Sequence, residues 1–244
     1  MRGGFPDSLL AQSDAQSYQW RRAYLTQVIE RDVAFFAPRL PGPTLKKLWA
    51  MLATDQGGLI NSAKLAQNLG VSGQSITRYL ALLCELMHVR ALQPWHGNIG
   101  KRFTKSPKYY VRDSGLLHAL LEIQTDEQQL RHPIIGQSFE GFVIEEICSQ
   151  LGSEWRYSFY RTQNGAEIDL LAENGAHVLA VEIKRSSKPV PSPGFYSGST
   201  NVSATQRLLV HADERSWELD EKTRAIALDS LVPAIEAISQ MSQH

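Results

Sequence analysis

The sequence predicts a mixed α/β (α+β) chain, helical in its first half and built on a mixed sheet in its second. Three observations lead there. Apolar residues recur at spacings of three and four between residues 14 and 87, the period of amphipathic helices. After residue 154 short runs suited to strands take over, divided by Asn-Gly pairs, the strongest short-range hairpin signal. Charge also segregates: 25 Lys+Arg balance 25 Asp+Glu over 244 residues, but residues 43–115 hold 10 basic against 3 acidic groups and residues 116–244 hold 10 against 18. A basic middle beside an acidic end implies separate modules, the first suited to phosphate and the second rich in carboxylates.

The elements follow in order. Residues 14–36 place Tyr18, Arg21, Arg22, Leu25, Val28, Ile29 and Val33 on one helical stripe opened by Asp14. Pro38, Pro41 and Pro43 end it, because proline lacks an N–H and biases its predecessor away from helix. Residues 1–42 therefore form an N-terminal helical segment. Residues 43–115 predict a winged helix-turn-helix. Leu45, Leu48, Trp49 and Leu52 mark a first helix, Ser62 caps a second, Gly70 supplies the turn, and Ser72 caps a third with the stripe Ile76, Tyr79, Leu80, Leu83, Leu86 and Met87. That stripe leaves Gln74, Ser75, Thr77 and Arg78 outward, the positions that meet bases and phosphates in a recognition helix. Strands at 89–95 and 108–113 then make a wing whose tip carries Lys101, Arg102 and Lys105, a second set of phosphate contacts. Gly97–Arg102 does not form a nucleotide loop, since the phosphate-loop pattern needs Gly at position 95 and Ser or Thr at 102, where Trp95 and Arg102 stand.

Residues 116–244 form the third segment. A helix spans IGQSFEGFVIEEICSQL, and three strands follow at 155–161, 166–173 and 177–185 as an antiparallel meander. The two-residue period of a strand puts Glu167 with Asp169 and Glu182 with Lys184, so three acidic groups and a lysine meet on one sheet face. Glu140 falls in line with Ile144, Ile147 and Leu151 on the helix and points a carboxylate toward the apolar side. Hard oxygens from Asp169, Glu182, the Ile183 carbonyl and Glu140 suit Mg²⁺ (or Mn²⁺), which polarises a phosphoryl oxygen and acidifies a bound water. Lys184 beside them would orient that water or stabilise charge building on the phosphate. A loop at 186–200 leading into a short helix, a strand at 206–211 parallel to the core after a crossover, a strand near 223–227 and a helix at 229–241 close the segment.

Asp169 followed by Glu182-Ile-Lys184, with a helical Glu140 upstream, resembles the PD-(D/E)xK nuclease superfamily. The resemblance implies a restriction-endonuclease-like domain in which Asp169, Glu182 and Lys184 are catalytic and DNA is the partner. GGFP, YLTQVIERDV, GQSFEGFVIEE, YRTQNGAEIDLL and VEIKRS also make the chain similar to the C-terminal half of a bacterial and archaeal family led by an AAA+ ATPase module. That likeness implies an ATPase lid-like origin for residues 1–42 and, as no Walker motif is present, partnership with a separately encoded ATPase. The proline that often precedes the first motif aspartate is replaced by Ile168.

Composition narrows the alternatives. With 43% apolar and 20% charged residues the chain is an ordinary globular one, and no run approaches the roughly 18–20 apolar residues of a membrane span. The start lacks an apolar signal core, so a cytoplasmic location is expected. Cys84 and Cys148 have neither disulfide nor zinc spacing and read as buried thiols. The functional expectation is a DNA-binding protein with a Mg²⁺-dependent nuclease domain. The alternatives are a non-catalytic DNA-binding or regulatory module of an AAA+ family, and a plain transcription factor.

Overall fold

The computed structural model describes residues 2–33, 35, 41–96 and 106–241. The expected wing-tip cations Lys101, Arg102 and Lys105 lie outside the described residues. The chain divides into two compact units, one of Met1–Ala91 with Tyr109–Gly141, the other of Leu92–Lys108 with Phe142–His244.

The first unit is helical around a small sheet. Its elements are α1 (Pro6–Leu9), α2 (Asp14–Gln27), a π-helical turn Val28–Val33, α3 (Gly42–Thr54), β1 (Gly58–Leu59), α4 (Ser62–Leu69), α5 (Gly73–Glu85), the start of β2 (Val89–Pro94), most of β3 (Lys108–Val111), α6 (Ser114–Leu120), α7 (Asp126–Arg131) and the start of α8 (Ile135–Leu151). The expected α2 stripe is buried at Tyr18, Arg21, Leu25, Val28, Ile29 and Val33, whereas Arg22 faces solvent. Ser13, not Asp14, caps the helix: its extended backbone lets its hydroxyl accept from Gln16 N at 3.2 Å, while Asp14 pairs with Arg2 at 2.8 Å. The helix-turn-helix forms as expected. Leu45, Leu48, Trp49 and Leu52 pack in one core with Ile76, Leu80 and Leu83. Asn61 rather than Ser62 caps α4, accepting from Lys64 N at 3.0 Å, and Gly70 ends it at φ +64°. Met87 does not join the α5 stripe. The helix has ended at Glu85, and Met87 turns to φ +60° with its side chain 65% exposed.

The N-terminal glycines have a specific use here. Asp113 caps α6 by accepting Leu116 N at 2.7 Å and also takes Gly4 N at 2.7 Å. A Cβ on Gly3, at φ +74°, would lie 2.3 Å from the Asp113 carboxylate. Burial raises the Asp113 pKa, opposed by those N–H donors and by Arg21. Arg21 is 1% exposed and is held by the Ser17 and Gly115 carbonyls at 3.1 and 2.9 Å.

The second unit is a mixed sheet with helices on it. Gln93 and Pro94 of β2 run parallel to Ser158 and Phe159 of β4 (Arg156–Arg161). Next come β5 (Glu167–Asn174) and β6 (His177–Lys184), antiparallel to their predecessors, and then β7 (Gln206–His211), parallel to β6 after a crossover through α9 (Pro193–Asn201). The last strands are β9 (Thr223–Ala227), parallel to β7, and β8 (Trp217–Asp220), antiparallel at the edge. A turn of 3-10 helix and α10 (Leu231–Met241) end the chain's described part. The meander, the parallel β7 and the final strand match the sequence expectation; β8, four residues that alternate apolar and polar but are exposed throughout, was not among the expected strands.

His88 carries a pH dependence. It is 8% exposed against Trp49 and Tyr24, and burial, helped by Arg112 and opposed by Asp32, pushes its pKa down to about 4. The unfolded chain therefore binds a proton below about pH 6.5 that the folded unit refuses. The stability of the neutral imidazole is present above that pH and lost as pH falls toward 4, by roughly 2–3 kcal/mol. Thermal melts from pH 7 to 4 should fall less steeply for His88→Gln than for the wild type; parallel curves would contradict this.

Candidate functional site

The site grows out of the β5–β6 hairpin. Gly175 at φ +56° makes a tight turn, and register then runs from Asn174 opposite His177 to Leu170 opposite Val181. One step further Asp169 stands level with Glu182, and here the ladder gives way to a side chain: Asp169 Oδ2 accepts Ile183 N–H at 2.8 Å. On its other edge β5 is irregular. Ser158 faces Leu171 and Tyr160 faces Ile168, so β4 advances two residues while β5 advances three. That extra residue is a β-bulge at Asp169 and Leu170, a device that re-aims side chains where pairing ends.

The bulge corrects the face assignment made from the two-residue period. Ile168 and Leu171 both join the cluster around Phe195 of α9. Glu167 is turned away from it. Its carboxylate binds Lys108 Nζ at 2.9 Å, and that ammonium lies over the Phe159 ring at 5.4 Å, with Arg161 a looser partner at 3.8 Å. Lys108 is 4% exposed, so Glu167 serves as counter-ion to a buried cation and is not a third acid beside Asp169. Arg161 is itself exposed at the end of β4.

Glu182 and Lys184 share the face that meets α9, since Ala180, two residues earlier, is in the Phe195 cluster. Glu182 is 7% exposed and its charge is matched on two sides. Ser192 N–H donates to Oε2 at 2.9 Å and to Oε1 at 3.3 Å, and Lys184 Nζ stands 3.2 Å from Oε1. Lys184 also donates to the Val190 carbonyl. An ammonium has three donors, so the lysine keeps one beyond these two partners. Its side chain is 33% exposed, enough for that donor to meet solvent or a ligand. Ile183 lies between the two, with its N–H given to Asp169.

The structure thus brings Asp169, Glu182, Ile183 and Lys184 together. Glu140 belongs to the first unit, where its carboxylate accepts the Tyr110 hydroxyl at 2.6 Å. Among the described residues no three His, Cys, Asp or Glu side chains form a cation-holding group. The donor chemistry at Asp169, Glu182 and the Ile183 carbonyl still fits Mg²⁺ in kind, an ion that keeps several waters and takes few carboxylates. Sequence reasoning missed Ser192. The Ser-Pro pair at 192–193 is a helix-start signal that locates α9, with Ser192 Oγ accepting Phe195 N at 3.0 Å. Its second task, holding Glu182 ten residues back, has no local signal. On α5, Ser72 caps by accepting Ser75 N at 3.1 Å. Gln74, Thr77 and Arg78 are exposed and Ser75 is half-buried, while the Thr77 hydroxyl is bound to the Gly73 carbonyl at 3.2 Å.

Residues 1–127, just over half of the chain, match the family described as domain of unknown function DUF8612. The chain belongs to that family. Residues 135–231 match a second family, domain of unknown function DUF4143. Two mycobacterial relatives, the uncharacterized proteins Rv2008c of Mycobacterium tuberculosis and Mb2031c of Mycobacterium bovis, are each 38% identical over 232 residues, which is 95% of this chain. The chain spans about half the length, 52%, of these relatives. A solved structure, protein VC1899 from Vibrio cholerae, aligns over 98% of this chain and 57% of its own at 14% identity with a TM-score of 0.29, too low to bear on fold or function. Among the described residues no helix is long and apolar enough to cross a membrane.

Because Lys184 is a third exposed and Glu182 keeps the Ser192 N–H without it, Lys184→Ala should remain folded. The expected cost is roughly 1–2 kcal/mol, read as a drop of a few degrees in Tm. Loss of a cooperative melt would show that the lysine is structural.

Proposed function

We propose that this protein binds DNA through its helix-turn-helix and hydrolyses a phosphodiester at Asp169, Glu182 and Lys184 with Mg²⁺ or Mn²⁺. The observation that carries the reading is the divided β5–β6 ladder, which sets two carboxylates level with each other and an ammonium one turn of the pleat beyond them. Asp169, Glu182 and the Ile183 carbonyl would hold the ion, and Glu140 is not needed for the reading. A bound ion there would polarise a phosphoryl oxygen and lower the pKa of a bound water.

The chain's own residues do the rest. Asp169 is fixed by the Ile183 N–H and Glu182 by the Ser192 N–H, so neither carboxylate has to reorganise when charge develops. Lys184 directs its remaining donor at the attacking water or at the non-bridging phosphate oxygen. Gln74 and Arg78, exposed near the start of α5, supply base and phosphate contacts with Ser75 and Thr77 of the same helix; Lys101, Arg102 and Lys105, outside the described residues, are proposed as further phosphate contacts. An ATPase encoded separately is the proposed partner, as the family resemblance implies.

A second reading has its own observation. Glu182 and Lys184 neutralise each other at 3.2 Å and both are tied to Val190–Ser192, an arrangement complete without substrate. It favours a non-catalytic DNA-binding or regulatory module.

Cleavage of single-stranded, nicked and duplex DNA with Mg²⁺ or Mn²⁺ separates the two. The nuclease reading expects divalent-dependent cutting that Lys184→Ala reduces about 10²–10⁴-fold. No cutting of any form, with salt-sensitive binding unaffected by Asp169→Ala and Glu182→Ala, would establish the binding module. Arg78→Ala should weaken binding evenly across sequences and lower the log–log salt slope by about 1. A loss confined to one sequence would instead mark Arg78 as a base reader.

A further inference from the structure

A cavity of about 740 Å³ opens in the second unit between the β4–β5 turn, Thr162 to Ala166, and one side of α9 at Pro193, Gly194, Ser197 and Asn201. Its size lies within the roughly 300–1,000 Å³ of small-molecule sites. Both walls lead straight to the carboxylates. Ala166 is three residues ahead of Asp169 on one side, and on the other Pro193 follows Ser192, whose N–H holds Glu182.

None of the lining residues is charged, although the unit around it is rich in charge. The polar groups are amides and hydroxyls. Asn201 is set in place by donating from Nδ2 to the Tyr160 hydroxyl at 2.9 Å, and the Thr162 hydroxyl accepts Ala166 N at 3.2 Å. Gln163 and Asn164 are exposed, and among the described residues their amides have no hydrogen-bond partner. Two glycines bring the walls together: Gly165 turns at φ +84°, and a Cβ on Gly194 would lie 2.8 Å from the Gly165 carbonyl.

We infer that this cavity is a subsite for an unpaired nucleobase of the strand whose phosphate lies at Asp169, Glu182 and Lys184. The inference rests on the nuclease reading for the position of that strand. The lining holds no cationic side chain to pair with a phosphate. Amides carry a donor and an acceptor side by side, the pattern that pairs with base edges. A base within a duplex has its pairing edge occupied, so the substrate class is single-stranded or locally unpaired nucleic acid: an overhang, a flap or an extruded nucleotide.

The test is binding of the full chain to a blunt duplex and to the same duplex with a single-stranded overhang, by fluorescence anisotropy in EDTA. The wild type should prefer the overhang. Ser197→Trp, which fills the cavity from an exposed helix position, should lower overhang affinity about tenfold and leave blunt-duplex affinity unchanged. The double change Gln163→Ala with Asn164→Ala, in a solvent-exposed turn that retains Gly165, should act the same way without a bulky side chain. Equal wild-type affinity for both duplexes, or a preference that survives both variants, overturns the subsite. Because no divalent ion is present, the outcome is independent of hydrolysis. An overhang preference abolished by the variants in a protein that cuts nothing would sink the nuclease reading and leave the nucleobase site standing.

Discussion

The bond from Ile183 N–H to the Asp169 carboxylate is the constraint on which the candidate site depends. In a regular hairpin that N–H would go to a main-chain carbonyl of β5. Giving it to a side chain opens the strands at one end and fixes an acid in the opening. A buried N–H left without an acceptor would cost about 1–3 kcal/mol, so the strands separate there only because Asp169 is available. The bulge at 169–170 then makes the opposite edge of β5 compatible with this departure, since it absorbs the extra residue against β4. The opening of the hairpin and the candidate site are thus set by the same side chain.

Charge is arranged to similar effect. The second unit contains Glu182, almost fully buried, yet it is balanced by a main-chain donor and an ammonium, both supplied within ten residues of chain. The first unit balances its own buried ion, Arg21, largely with carbonyls and with the field of Asp113. Desolvation lowers the Arg21 pKa from its ordinary value, and that cost is held down by Asp113, the same residue that anchors Gly4 and caps α6. The zero net charge of the chain conceals two separately compensated interiors.

Much of this was legible in the sequence, and the gaps have physical causes. Helices α3 to α5 and their shared core follow from apolar spacing, because tertiary burial and local periodicity agree there. The hairpin β5–β6 follows from Asn-Gly. What failed was parity across β5. A two-residue period holds only for unbroken pleats, and the bulge that reassigns Glu167 depends on how β4 pairs with β5, which no local pattern encodes. Ser192 was invisible for a related reason: its cap role is local, but its hold on Glu182 is made only when α9 folds back on the sheet. The helix caps were misplaced by one residue at Ser13 and Asn61, within the ordinary uncertainty of helix ends. The edge strand β8 has the alternation of a strand in Trp217-Glu218-Leu219-Asp220, but it is only four residues long and buries none of them.

The turn between β5 and β6 sets where the chain tolerates a change of length. Only Gly175 and Ala176 separate the strands, and from there the register counts outward to Asp169 and Glu182. One residue inserted in the turn would slip the count by one, and alternation would carry Glu182 and Lys184 to the opposite side of the sheet with the hairpin itself intact. The loop from 185 to 192 has no such arithmetic, since it must only deliver Val190 and Ser192 to their partners. The chain can therefore change length in that loop without disturbing the level of the two acids, whereas positions 175 and 176 carry the whole count that aligns them.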